Sequence, residues 1–274
     1  MMSGLPEDGE LRIGSMSLPR GRRLRARYGS GAPVAWATLQ PVPDAGTVWA
    51  ALSAEHSETG LAPILLKGLD EATNRPWDEE EFEDPADVAQ LEGMDVASVL
   101  REMWNGTAYE VGFEDAGEEE EDEGVVEMRA PFSKQFPGLA PPADVPLSQD
   151  QLTAALGSLP AARIGLVPAN RPADVLPMLG WSGAANRMDT ALPIAAVLRS
   201  WEERFGAQLL EVGFAEIRLL VQRPPRNFDG AQRLAAEQFA FCDECWLGDQ
   251  VGLNEVGTIT DALVNAPMWG FWWD

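Results

Sequence analysis

An α+β fold, with a mixed or antiparallel sheet covered by helices, is predicted by three features of the chain. Amphipathic helical stripes and short apolar runs occur in adjacent groups without regular βαβ alternation. Two strand-like runs, 208–214 and 216–222, follow each other directly; Ile217, Leu219 and Val221 share one face, and Glu216, Arg218 and Gln222 the other. The 274 residues are 45% apolar, enough for a sizeable core, and the length suggests two globular units or one enlarged one.

The pattern becomes globular from Pro33. Residues 34–39 read as a short strand, and Asp44 reads as the cap of a helix whose stripe carries Ala45, Val48, Trp49, Leu52 and His56. His56, the only histidine, extends that apolar face and reads as a packed residue. The apolar run Leu61–Leu66 lies between Gly60 and Gly68, as a buried strand would. Asp95 opens a second helix, with Val96, Val99, Leu100, Met103 and Trp104 at core-facing spacing. These elements make an N-terminal α/β subdomain over 31–113.

Before it, Arg20, Arg22, Arg23, Arg25 and Arg27 form a basic cluster beside Gly and Pro. Such charge predicts a disordered tail over 1–30, or an upstream-extended start ahead of Met16, able to bind acidic surfaces including the protein's own. Acidic candidates are present. Asp78, Glu79, Glu80, Glu81, Glu83 and Asp84 crowd one loop, and residues 114–123 hold eight acids in ten. Like charges at that density repel one another, and their contiguity does not match an EF-hand. With Pro131, Pro137, Pro141, Pro142 and Pro146 they predict an acidic, Pro-rich connector over 114–147.

The C-terminal domain is expected over 148–274. Ser148 starts a helix, Arg163–Pro168 is a strand, and residues 172–179 form a helix ended by Gly180. Ile194, Val197, Leu198, Trp201 and Phe205 mark a strongly amphipathic helix. Asp229 reads as the cap of another, which ends near Phe241, and a last helix precedes a terminal strand over 268–274. In that strand Trp269, Phe271 and Trp273 face one way and Met268 and Trp272 the other, which predicts burial in the middle of a sheet.

Several passages carry a resemblance. They are Gly180-Trp181-Ser182-Gly183-Ala184, the block from Leu198 to Ala207, Arg223-Pro224-Pro225, the block from Ala236 to Cys242, and the terminal Trp269-Gly270-Phe271-Trp272-Trp273-Asp274. In this order they resemble the bacterial family of domain of unknown function 4253 over residues 163–274, with a weaker likeness at residues 60–66 and Arg75-Pro76-Trp77. The resemblance implies a shared fold and no reaction. This chain departs from the family at Asp243-Glu244, where Pro-Asp or Asn-Asp commonly follows the cysteine.

Composition narrows the function. A net charge of −24 repels polyanions, so nucleic acid is not an expected partner and a basic protein is. No apolar run approaches the roughly 20 residues of a transmembrane helix, and no signal peptide is evident, so neither a membrane nor export is expected and the chain reads as cytoplasmic. The oligomeric state is not specified. Cys242 and Cys245 have C-x-x-C spacing, but the chain holds no other cysteine to complete a zinc site, and the pair trails a helix where a thioredoxin-type dithiol would begin one. They read as structural, with zinc and redox chemistry as alternatives, and no cofactor is implied. No hydrolytic or phosphate-binding signature is present.

The favoured reading is a non-catalytic protein-binding module, an immunity or antitoxin-like partner. A structural or regulatory accessory protein and an enzyme with a carboxylate-based site are the alternatives. Candidate partner-binding residues are Trp77 and Trp246, expected to be exposed beside acids, together with Arg204, Trp272 and Asp274.

Overall fold

The computed structural model describes residues 4–14, 16–70, 73–110, 126–242, 244–247 and 250–273. Ten strands form one open, mixed sheet, so the fold is α+β. They are β1 (Gly9–Ile13), β2 (Met16–Arg25), β3 (Pro33–Thr38), β4 (Leu61–Leu66), β5 (Arg163–Pro168), β6 (Ala207–Val212), β7 (Glu216–Val221), β8 (Glu244–Leu247), β9 (Gln250–Leu253) and β10 (Met268–Trp272). Their spatial order is β1-β2-β3-β5-β4-β6-β7-β10-β8-β9. Only β4 and β6 pair in parallel; the other neighbours are antiparallel.

Helices α1 (Ala45–Ala54), α2 (His56–Thr59), α3 (Val96–Glu110), α4 (Gln149–Gly157), α5 (Val175–Leu179), α6 (Leu192–Phe205), α7 (Phe228–Phe241) and α8 (Val256–Leu263) cover the sheet. On one face, Ile217, Leu219 and Val221 of β7 and Trp269 and Phe271 of β10 join apolar residues of α3, α6, α7 and α8. The rings of Trp201, Phe241, Trp269 and Phe271 meet there in edge-to-face and stacked contacts with centroids 4.8–5.7 Å apart. On the other face, Trp36, Leu65 and Ile164 pack under Trp49 and Leu52 of α1 and Leu156 of α4, and only Leu210, Leu220 and Met268 extend this layer toward β6, β7 and β10.

Local chemistry explains several boundaries. Ser148 and Gln151 form a reciprocal capping box at the start of α4. Gly206 ends α6 in the left-handed conformation. Asn227, rather than Asp229, caps α7 by accepting from the Gly230 amide. Asp44 has φ 50° and makes no side-chain cap, so α1 starts without the hydrogen bond expected of it.

Three expectations are corrected. The arginine-rich segment is not a disordered tail: β1 pairs with β2, and β2 pairs with β3. Leu18 and Leu24 are buried, while Arg22 pairs with Glu80 at 2.5 Å and Arg27 with Glu79 at 2.9 Å. The basic cluster therefore meets the protein's own acidic loop. The two expected units share one sheet, because β5 lies between β3 and β4. The Pro-rich stretch packs against the fold: Ala140 and Leu147 are buried, and the amides of Ala143 and Leu147 donate to the carbonyls of Arg204 and Gln222. Residues 114–123 of the acidic tract lie outside the described residues.

Candidate functional site

A cleft opens where β4, β10 and the β6–β7 turn end, and a glycine-rich loop builds one wall. Gly180 ends α5 with φ 69°, and a Cβ there would stand 2.0 Å from the carbonyl oxygen of Glu83. This close approach brings the Glu83 amide to 2.8 Å from the Gly180 carbonyl, which stitches the 78–84 loop to the end of α5. Trp181 then turns inward and donates Nε1–H to the Gly213 carbonyl at 2.9 Å. Gly183 fits between the Trp181 ring and the carbonyl of Phe214, where a Cβ would be 2.2 Å from that oxygen. The Gly-Trp-Ser-Gly passage thus locks a loop onto the β6–β7 turn.

The cavity beside this loop has a volume of 520 Å³ and is lined by, among others, Tyr28, Leu69, Arg75, Ser182, Phe214 and Trp272. Tyr28 is 62% and Leu69 46% exposed, so two of the larger exposed apolar side chains stand at its rim. Arg75 donates from Nε and Nη2 to the two carboxylate oxygens of Glu81 at 2.8 and 2.7 Å, and its guanidinium lies 4.7 Å from the Phe214 ring centroid. The Glu81 hydrogen bond holds the Arg75 pKa above its ordinary value.

A second group of charges borders the same end of the sheet. Lys67 Nζ is 2.8 Å from the Glu216 carboxylate and 4.6 Å from the Trp246 ring centroid. Glu211, opposite Leu65 across the parallel pairing, is 3.7 Å from Arg218. Burial pushes the Glu211 pKa up, and this outweighs the nearby Arg218 and Lys67. The result is an aromatic and apolar opening among charges that are already paired, which suits contact recognition.

The candidate residues fall into different places. Trp272, half-buried, lines the cleft. Trp246 is half-buried on β8 and lies against Gly270, where a Cβ would meet it at 3.0 Å. Trp77 is not an exposed anchor: it is 1% exposed, donates to the Lys67 carbonyl at 2.8 Å and packs against Phe82, because the neighbouring acids point outward to arginines. Arg204 is not a surface anchor either, since its guanidinium is directed inward to the buried Glu237. Asp274 lies outside the described residues. His56 places Nε2 2.7 Å from the Ala169 carbonyl, consistent with a packed role. Among the described residues, no group of three or more His, Cys, Asp or Glu is arranged to hold a metal ion, and no helix is long and apolar enough to cross a membrane.

Tyr28, Leu69, Arg75 and Phe214 were missed as site residues. Tyr28 sits next to the arginine cluster, Leu69 and Arg75 lie in turns without periodic pattern, and Phe214, expected to end the 208–214 strand, lies in the turn after β6. The only available signal was Arg75-Pro76-Trp77 within the weaker resemblance.

Residues 163–274 match the family model described as Domain of unknown function (DUF4253). Nothing matches among the curated proteins, and no solved structure matches.

Proposed function

We propose, with residues 163–274 as a DUF4253 domain, that this protein is a non-catalytic binding module for a basic protein partner in the cytoplasm, acting in the manner of an immunity or antitoxin-like protein. The observation that carries this reading is the cleft. Segments far apart in sequence, at Arg75, Trp181-Ser182-Gly183, Phe214 and Trp272, converge on one opening rimmed by exposed Tyr28 and Leu69. Tyrosine and tryptophan flanked by an arginine are the residue types in which interface energy concentrates. The partner's chemistry follows from charge. Arg22 of β2 and Arg27 just beyond it neutralise part of the 78–84 loop, yet the chain keeps a net charge of −24, which steers a basic protein and repels an acidic one.

The test is capture from the native host extract with two baits in parallel, the wild-type chain and the Tyr28→Ala/Trp272→Ala variant. A basic protein retained by the wild type and lost by the folded variant supports the cleft. An identical retained set on both baits contradicts it.

A second reading, a carboxylate-based enzyme, is favoured by one observation: Glu211 is buried with a raised pKa in a cluster that also holds Glu216 and Lys67. Such a group can hold a proton for acid catalysis. Partner capture that survives Glu211→Gln separates this reading from the first.

A further inference from the structure

We infer that Cys242 and Cys245 form a reversible oxidation site, a dithiol that a peroxide converts to an intramolecular disulfide. Cys242 follows the last residue of α7 and Cys245 lies on β8 opposite Phe271, and this turn from helix to strand brings the two Sγ atoms to 3.3 Å. A disulfide needs about 2.05 Å between the sulfurs, so closure requires a displacement of little more than about 1 Å. The two thiols do not have equal access. Cys245 is fully buried, whereas Cys242, itself only 7% exposed, lines a cavity of 620 Å³ together with Phe241, Met103, Met188 and Trp273.

This asymmetry assigns the order of events. The Cys242 thiolate attacks one peroxide oxygen, the O–O bond breaks, and Cys242 becomes a sulfenic acid as hydroxide departs. Cys245 sulfur then attacks the Cys242 sulfur; the S–S bond forms, the S–O bond breaks, and the hydroxyl leaves as water with the Cys245 proton. Two thiols are oxidised by two electrons and one peroxide is reduced. Closing so short a loop gives little chain-entropy stabilisation, so the bond should be reopened by a dithiol reductant. Proximity at a helix C-terminus is what makes the site, which distinguishes it from a dithiol activated at a helix N-terminus.

The test uses the full chain, reduced, freed of reductant and treated with hydrogen peroxide, followed by unfolding, alkylation and peptide mass mapping. Peptide mapping separates the cysteines from Met103 and Met188, which peroxide also oxidises. The expected result is a peptide carrying both cysteines that is lighter by two hydrogen atoms and not alkylated, restored to two alkylated thiols by dithiothreitol. The Cys245→Ser variant should instead trap a dimedone-reactive sulfenic acid at Cys242. Two thiols that stay alkylatable, a disulfide between chains, or wild-type Cys242 driven to sulfinic acid without a disulfide would overturn the proposal. The wild-type result decides the matter even if the variant does not fold.

Discussion

Glu237, fully buried on α7, accepts hydrogen bonds from both terminal nitrogens of Arg204 on α6, at 2.7 and 2.6 Å. Trp201 Nε1–H donates to the same carboxylate at 2.8 Å and the Ala140 amide at 2.6 Å, so both oxygens are satisfied away from water. Two of the blocks that carry the family resemblance, around residues 198–207 and 236–242, therefore meet at one ion pair inside the core. The Pro-rich stretch is tied to the same carboxylate through Ala140.

Removing one partner leaves the other charge buried and uncompensated. Arg204→Ala is expected to lower unfolding stability by about 3–5 kcal/mol, the usual cost of breaking a buried pair. Denaturant unfolding measures this; a loss below about 1 kcal/mol, the range of an exposed pair, would show that the interior tolerates the lone carboxylate.

Gly180 has no room for a side chain. Gly180→Ala combines a left-handed backbone, costing roughly 1–2 kcal/mol for an L-residue, with a contact 2.0 Å from the Glu83 carbonyl. The variant should melt below the wild type and should weaken protection of the Glu83 amide in hydrogen exchange. Unchanged protection would mean that the 78–84 loop does not depend on this contact.

Glu211 gives a pH dependence of definite sign. Its pKa is raised above the ordinary 4.5 by burial, so the native state binds this proton more tightly than the unfolded state. Its stabilising contribution is fully present below about 4.5 and is lost as pH rises through the raised value. Glu211→Gln removes that loss. The variant should gain stability relative to the wild type as pH rises above about 4.5, read from paired denaturation curves. A constant difference across this range would contradict the assignment.

Trp77 and Trp272 should behave oppositely. Trp77→Ala empties a buried site that packs against Phe82, and is expected to cost about 3–5 kcal/mol of folding stability, as large-to-small core changes do. Trp272→Ala should leave the melting temperature much closer to that of the wild type, because the ring is half-buried at the cleft. Equal losses of stability would move Trp272 into the core.

Much of the fold was legible because periodicity reports local burial. Leu61–Leu66 and Arg163–Pro168 were read at their true limits, and Gly180 and Gly206 at their helix ends. The alternation of Ile217, Leu219 and Val221 marked one buried face, but Glu216 and Leu220 on the opposite face are buried too. Strands β1 and β2 were not legible, since Leu18 and Leu24 are isolated among polar residues and Arg22 and Arg27 are balanced by acids 58 and 52 positions away. Long-range pairing leaves no local pattern. For the same reason Trp77 looked exposed: its acidic neighbours suggested solvent, while Asp78, Glu79 and Glu80 pair with Arg163 on β5, Arg27 in the turn after β2 and Arg22 on β2. At the cleft, Trp272, named from the sequence as a candidate, is half-buried among the lining residues, while Tyr28, Leu69 and Phe214 come together only through topology.

The central claim is that the cleft holds a basic partner through Trp272. The most direct measurement is titration of the purified, captured partner against wild-type protein and Trp272→Ala, with melting curves taken on the same samples. The account expects a loss of about 2 kcal/mol in binding, roughly 30-fold in Kd, with the melting temperature nearly preserved. An unchanged Kd for a folded Trp272→Ala variant would contradict it.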